Sequence, residues 1–350
     1  MAILPAVAVL FAAVTLNGCG PNAPDEEGDA AGEQAGADGG GSDAGSSAAA
    51  FAEPVSPFGT FQFITPAQRG YSNLGALTIV ENDGEPKVES FTPTQELARF
   101  KPGATLREAT PDAVSLQIDS GPDGPLFLVF SGRPAPGVII GTYVNKNGSA
   151  VMPAVLAPLP DGAQKPGPST LSDPQAEQLV QTVQQTNPDA GGLEALSDEA
   201  PYSLAFFQIY PAVITARVRS NAPVEEVAEF ADAYARFASR WGVAAEAEAR
   251  RGTGYIFIAA SKYRELADEQ FAEALASLPE GMPEGAADLW KENFAKLGEQ
   301  ADLREEQRAL GQRLNDAMRL AATDKQAGLK ALREIRSDEP DNPATLYMLA

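Results

Sequence analysis

Hydrophobic and polar positions follow a two-residue period in the first half of the chain. Between residues 57 and 160, apolar side chains alternate with polar ones, as from Val114 to Ile118, which is typical of strands with one buried face. Asn82-Asp83-Gly84 lies between two such runs and is a strong hairpin-turn signal. The pattern predicts about six strands in a meander that forms a small antiparallel barrel or sandwich.

The second half has the 3.6-residue period of amphipathic helices. A Pro/Gly-rich stretch at 158–172 precedes a helix start at Asp173, and the apolar positions of 222–241 end at Gly242. Pro211 is expected to kink or end the helix that begins near Pro201. Further helices are predicted at 244–260, 262–277, 284–299, 301–322 and 325–337, and from 343 to the end.

The predicted fold is therefore α+β. An antiparallel β domain at 57–168 is followed by an all-α domain at 169–350, which is either a bundle or repeat-like.

The N-terminus combines a short apolar run with a cysteine. Ala2 to Leu16 is almost entirely apolar but too short for a bilayer, which needs ~20 residues, and its length is typical of a signal peptide. Leu16-Asn17-Gly18-Cys19 resembles the lipobox of bacterial lipoproteins. This resemblance implies a signal peptide at 1–18 and lipid attachment at Cys19. A plain signal peptide and a buried apolar segment are the alternatives.

Small and acidic residues dominate the segment after this cysteine. Residues 19–56 contain scarcely any large apolar side chain, so they are predicted to form a disordered linker. In the lipoprotein family, Asp after the cysteine favours retention in the inner membrane, and Gly20 stands there instead. The resemblance therefore implies a lipid anchor in the outer membrane, facing the periplasm.

Charge and composition exclude several classes of function. The net charge of −22 makes nucleic acid a poor partner, because an acidic body repels phosphate backbones. The chain has no histidine and one cysteine, Cys19, which excludes Ser-His-Asp and Cys-His catalysis and imidazole metal sites. It also lacks Ser-x-x-Lys and Gly-Lys sequences. We predict no catalytic constellation, metal site or cofactor within residues 1–350.

Four groups of side chains have a functional interpretation beside a structural one. Pairs of adjacent acids could form a cation site, but a solvated helix face is the favoured interpretation, because neighbouring side chains on a helix diverge. Two aspartates could contribute to a calcium site, but a turn is the favoured interpretation. A set of aromatic residues could line a ligand groove, but packing in the core is the favoured interpretation. An Arg-Gly segment could bind an anion, but the end of a helix is the favoured interpretation. The groups are Glu225-Glu226, Asp268-Glu269 and Glu305-Glu306; Asp119 and Asp123; Tyr202, Phe206, Phe207, Tyr210 and Trp241; and Arg250-Arg251-Gly252-Thr253-Gly254.

The C-terminal segment contains a helix–turn–helix pattern. Gly328 and Leu332 have the spacing of a small and a large packing residue, and Glu339-Pro340-Asp341-Asn342 is a turn sequence. Residues 326–350 thus resemble part of a tetratricopeptide repeat, although residues 312–316 depart from the pattern. The resemblance covers less than one 34-residue unit, and an unrelated helical bundle remains the alternative.

These observations favour a non-enzymatic envelope lipoprotein whose helical part is a scaffold for other envelope proteins. The chain also resembles the non-catalytic front of lipoproteins that carry a β domain, helices and a thioredoxin-like domain. Because the apolar Leu346, Tyr347 and Leu349 lie close to Ala350, we expect the natural chain to continue, and a thiol–disulfide oxidoreductase domain would then follow. A carboxylate-dependent hydrolase of envelope polysaccharide is the third hypothesis.

Overall fold

The computed structural model describes the β and α parts of the chain. The described residues are 53–66, 71–119, 127–159, 170–171, 174–279 and 282–338. The lipobox at Leu16–Cys19, the linker up to residue 52, Asp123 and the segment from 339 onward lie outside them.

Eight strands form one antiparallel sheet in the order β3-β2-β1-β8-β7-β6-β5-β4. The two end strands, β3 and β4, also contact each other, so the sheet nearly closes into a barrel. A ninth, two-residue strand pairs with β2. The strands are β1 Gly59–Pro66, β2 Tyr71–Asn82, β3 Glu85–Pro93, β4 Gly103–Ala109, β5 Val114–Asp119, β6 Phe127–Ala135, β7 Val138–Asn145, β8 Val151–Pro158 and β9 Thr170–Leu171.

The hairpin predicted at Asn82-Asp83-Gly84 is present between β2 and β3. Asp83 has φ 54° and Gly84 has φ 80°, the left-handed conformations that a two-residue turn of the primed type requires. Side chains inside the barrel form a core of their own. Its largest buried members are Phe61, Phe63, Leu77, Ile79, Leu116, Phe130, Ile139 and Leu156.

The sequence pattern did not predict β1, β4 or β9. Strand β4 reads Gly-Ala-Thr-Leu-Arg-Glu-Ala, and Ala109 is its one buried residue. Its lack of an apolar face follows from its place at one end of the strand order, where much of the strand is exposed to water. The fold class nevertheless agrees with the prediction of an antiparallel β part followed by helices.

One short helix, α1 Gln95–Ala98, connects β3 to β4, and eight helices follow the sheet in the described part of the chain. A 3-10 turn at Ser261–Tyr263 precedes α7. The later helices are α2 Pro174–Thr186, α3 Ala190–Glu199, α4 Phe206–Arg219, α5 Val224–Ser239, α6 Val243–Phe257, α7 Arg264–Ala276, α8 Ala286–Thr323 and α9 Lys325–Asp338.

Two predicted helix boundaries are wrong. Of the two outcomes expected at Pro211, a kink or a helix end, the helix end is wrong, because α4 continues through it to Arg219. The proline costs the helix one backbone hydrogen bond, but Ile209, Tyr210 and Ile214 on both sides of it are buried. The helices predicted at 284–299 and 301–322 are one 38-residue helix, α8. Its Gly298 does not break the helix because it is buried against Ile258.

The sheet and the helices share a second core. Tyr71, Ala135, Ile140 and Val155 of the sheet belong to the same apolar cluster as the buried faces of α3 to α7. The outer face of β7 and β8 is therefore covered by helices, and α6 contacts both strands. This packing fixes the position of the helices on the barrel.

Candidate functional site

The adjacent acids found in the sequence lie on helix surfaces. Glu226 pairs with Arg217 at 3.3 Å, and its neighbour Glu225 is exposed. Asp268-Glu269 and Glu305-Glu306 are also exposed. In the described part of the chain, no group of three or more His, Cys, Asp or Glu residues is placed to hold a metal ion. Asp119 accepts hydrogen bonds at 3.0 Å from the side-chain amide of Gln117 on the same strand.

The aromatic set packs in the core of the helical part. Tyr210 stacks on Tyr234 with ring centroids 5.3 Å apart, and Phe207 meets Trp241 edge-on at 5.1 Å. Phe206, Tyr210 and Trp241 are buried. Burial raises the pKa of Tyr210 to about 12, although a hydrogen bond with Ser197 opposes the shift. These rings contribute packing energy.

The sequence favoured a helix end at the Arg250–Gly254 segment, and this expectation is wrong. The segment lies in the middle of α6, which continues to Phe257. Gly254 is a point of close approach between helices, because a methyl group there would lie 3.2 Å from the carbonyl oxygen of Ala267 in α7. Arg250 forms ion pairs with Glu246, at 3.1 Å, and with Glu273.

Arg251 lies in a buried polar cluster between the helices and the barrel. Its guanidinium donates to the carbonyl oxygen of Ser149 at 3.1 Å and pairs with Glu248 at 2.6 Å. The same group lies 4.3 Å above the Trp290 ring, a cation–π geometry. The Trp290 indole donates to the carbonyl oxygen of Gly148 at 2.8 Å. We call Gly148, Ser149, Glu248, Arg251 and Trp290 the junction cluster.

The junction cluster holds the turn between β7 and β8 against α6 and α8. Arg251 is 3 % exposed and Trp290 is fully buried. Burial raises the pKa of the Glu248 carboxyl, and Arg251 opposes this shift. Glu248 in turn raises the pKa of Arg251, whose burial acts in the opposite direction. The hydrogen bonds from Arg251 of α6 and Trp290 of α8 to the β7–β8 turn join the two parts of the fold.

Two faces of α8 have different partners. Trp290 and Ala301 are buried against the body of the protein, whereas Leu314 and Ala317 pack on α9. Because successive residues on a helix are about 100° apart, these two faces lie on nearly opposite sides of α8. We call α8 from Leu303 onward together with α9 the α8–α9 hairpin.

The α8–α9 hairpin has a small apolar core of its own. Leu310, Leu314 and Ala317 of α8 pack against Ala331, Leu332 and Ile335 of α9. Gly328 is buried at the crossing point, where an added methyl group would lie closer than 3.0 Å to the backbone of Ala321. The sequence had marked Gly328 and Leu332 as packing residues, and the structure places both on the buried face of α9.

Large apolar side chains remain exposed on this helix. Leu303 is 57 % exposed, Met318 is 49 % exposed and Leu320 is 40 % exposed. Leu303 follows the spacing of Leu310 and Leu314 and so lies on the same face of α8. The last residue of α9, Asp338, pairs with Arg313. Leu303 is ten residues, or roughly 15 Å, before that pair along α8, so α9 leaves it uncovered.

No protein-family profile matches the chain, and no curated protein or solved structure matches it either. In the residues that the structure describes, no helix combines the length and the apolar character needed to cross a membrane.

Proposed function

We propose that this protein is a non-enzymatic, lipid-anchored protein of the bacterial envelope, and that its α8–α9 hairpin binds other envelope proteins. The observation that carries the proposal is the number of large apolar side chains that α8 leaves exposed to solvent. Three of the four large apolar side chains most exposed in the described residues are on this one helix: Leu303, Met318 and Leu320.

The construction of the hairpin supports an interaction role. Its small apolar cluster, built around Leu314, Leu332 and Ile335, is separate from the cores of the barrel and the body. Helices whose apolar faces are incompletely covered are stabilised by adjacent helices or by partners. Isolated exposed apolar side chains are common on protein surfaces, but three of them on a single helix is a concentration that favours a binding role.

The N-terminal sequence supports the membrane location. Leu16-Asn17-Gly18-Cys19 has the residues of a lipobox, and the segment after it is small and acidic up to residue 53. A flexible linker of that length has a mean reach of roughly 30 Å. The linker would hold the folded part away from the membrane surface, where α8 and α9 are accessible to partners.

Site-specific photocrosslinking in the source cells tests the scaffold role. A photoreactive residue at Leu303 or Met318 is expected to give a discrete, reproducible adduct with an envelope protein. Val243, which is 54 % exposed at the start of α6, is the matched control and is expected to give no such adduct. Equal adduct patterns at all three positions would refute the proposal, because apolar exposure alone would then explain the labelling.

The lipid anchor has a separate test. The change Cys19→Ser removes the only sulfur that can be acylated in this chain. We expect it to abolish incorporation of labelled palmitate and to move the protein from the membrane fraction to the soluble fraction. An unlabelled wild-type protein that is already soluble would contradict the proposed location without affecting the crosslinking result.

A further inference from the structure

A polar cleft lies beside α8 just after the helix leaves the body. Its volume is about 290 Å³, and its walls come from the end of α4, the segment 259–263 and residues 301–308 of α8. Ligand pockets begin at roughly this size. The cleft is on the body-facing side of α8, opposite the α9-facing stripe that contains Leu303.

Positive charge is concentrated in this cleft. Lys262 stands on one wall, and Arg304 and Arg308 stand on the other, with Glu305 as the acidic residue among the lining side chains. The sum of these four charges is +2, in a protein whose net charge is −22. Ser261 and Asn221 add neutral hydrogen-bonding groups to the lining.

Nearby acids do not neutralise the cations. Asp302 pairs with Arg264 at 2.5 Å. Glu226 pairs with Arg217 at 3.3 Å. Among the described residues, Arg304 and Arg308 have no ion-pair partner.

Lys262 is held in place by the backbone. Its ammonium group donates to the carbonyl oxygens of Asn221 at 2.9 Å and Ala222 at 2.6 Å. These carbonyl groups follow the C-terminal end of α4, where the helix dipole favours a cation. The wall opposite the two arginines therefore carries a positive charge that the backbone holds in place.

The position of the arginines along α8 is also informative. The body-facing positions of α8 are apolar or small up to Ala301, as at Trp290 and Gly298. The next positions on that face are Arg304 and Arg308, one helical turn apart. Like charges facing one another across a cleft repel, and a bound anion would convert this repulsion into attraction.

We propose that this cleft binds a small multivalent oxyanion, of the phosphate or polycarboxylate type, between Lys262 and the pair Arg304 and Arg308. Guanidinium groups match the geometry of both anion types, because each can donate two parallel hydrogen bonds. The proposal is independent of the scaffold role, since it concerns the opposite face of α8.

Calorimetric titration of the full chain at low ionic strength tests the site, with inorganic phosphate and citrate as separate probes. We expect saturable binding of at least one anion, weakened about tenfold by the double change Arg304→Gln and Arg308→Gln. Because these arginines have no ion-pair partner in the described residues, the variant should keep the wild-type melting temperature without anion. Added anion should raise that temperature only when the arginines are present.

The matched control is the double change Arg319→Gln and Arg333→Gln. It removes the same charge from two exposed arginines of α8 and α9 that do not line the cleft, and we expect it to leave the affinity within about twofold of the wild type. Binding of one anion but not the other supports the site and identifies the class of ligand. Equal weakening by both double variants, or no saturable binding at millimolar concentration, would overturn the proposal.

Discussion

The close crossing of α8 and α9 gives a prediction whose sign distinguishes packing from helix propensity. In a helix interior, Gly→Ala is expected to stabilise by about 1 kcal/mol, because alanine has the higher helix propensity. The structure predicts the opposite sign for Gly328→Ala. The added methyl group would lie closer than 3.0 Å to the backbone and Cβ of Ala321.

The magnitude follows from the displacement that this contact requires. Carbon atoms pack best at about 3.5–4.0 Å, so the two helices would have to separate by more than about 1 Å. Overpacking of this kind costs about 1–3 kcal/mol, and the upper end applies because backbone atoms of Ala321 cannot rotate away. After subtraction of the propensity gain of about 1 kcal/mol, we expect Gly328→Ala to destabilise the α8–α9 hairpin by about 1–2 kcal/mol.

Amide hydrogen exchange is the appropriate assay, because the hairpin has its own apolar cluster and can open without unfolding the body. Gly328→Ala should reduce the protection of α9 amides roughly 5- to 30-fold, while amides of α5 stay unchanged. Gly311→Ala is the matched control, since a methyl group at Gly311 on α8 meets nothing within 4 Å. It should leave protection unchanged or increase it. Equal protection gains in both variants would refute the close crossing.

Two further predictions concern ion pairs. Arg236 donates to both carboxylate oxygens of Glu194, at 2.7 and 3.0 Å. This contact lowers the pKa of the Glu194 carboxyl. Glu194→Gln should therefore lower the free energy of unfolding by about 0.5 kcal/mol at neutral pH. The stabilisation is fully present above the pKa of Glu194 in the unfolded chain. Urea titrations should show the difference between wild type and variant vanish as the pH falls through the lower pKa of Glu194 in the folded protein. Arg251→Met should cost about 2 kcal/mol, because it leaves the partly buried Glu248 carboxylate without its partner. Since the pKa of Glu248 is then raised further, the loss should shrink as pH is lowered.

Each ion-pair prediction has a control. Glu229 is exposed on α5, so Glu229→Gln should change unfolding free energy by less than about 0.5 kcal/mol at any pH. At the junction, Glu248→Gln combined with Arg251→Met should recover much of the loss, because no unpaired charge then remains. A double variant as unstable as Arg251→Met alone would show that the packing of Arg251 on Trp290 dominates. A Glu194→Gln deficit independent of pH would contradict the role given to its charge.

The sequence predicts the local features of the fold well, namely turns and the buried faces of helices. The turn at Asp83-Gly84 needs positive φ angles, and those residues tolerate them. Helix α5 shows its buried face through Val227, Phe230 and Tyr234, because a helix on a core repeats its apolar contacts every three or four residues.

Non-local contacts explain the errors. Gly252 and Gly254 have the letters of a helix end, yet both are buried inside α6, where Gly254 lies close to α7. Gly298 likewise continues α8 because it is buried against Ile258. A glycine's intrinsic preference is worth about 1 kcal/mol, which tertiary packing readily overcomes.

The sequence by itself determined the class of the fold, the hairpin turn, the main apolar faces and the absence of histidine, because these depend on residue type and local spacing. Only the tertiary structure decided that Arg251 is buried beside Ser149, 102 positions away in the chain, and that Lys262 faces Arg304 and Arg308 across one cleft. Such pairs depend on which elements pack together, and no local pattern encodes the distance between residues of different helices or strands.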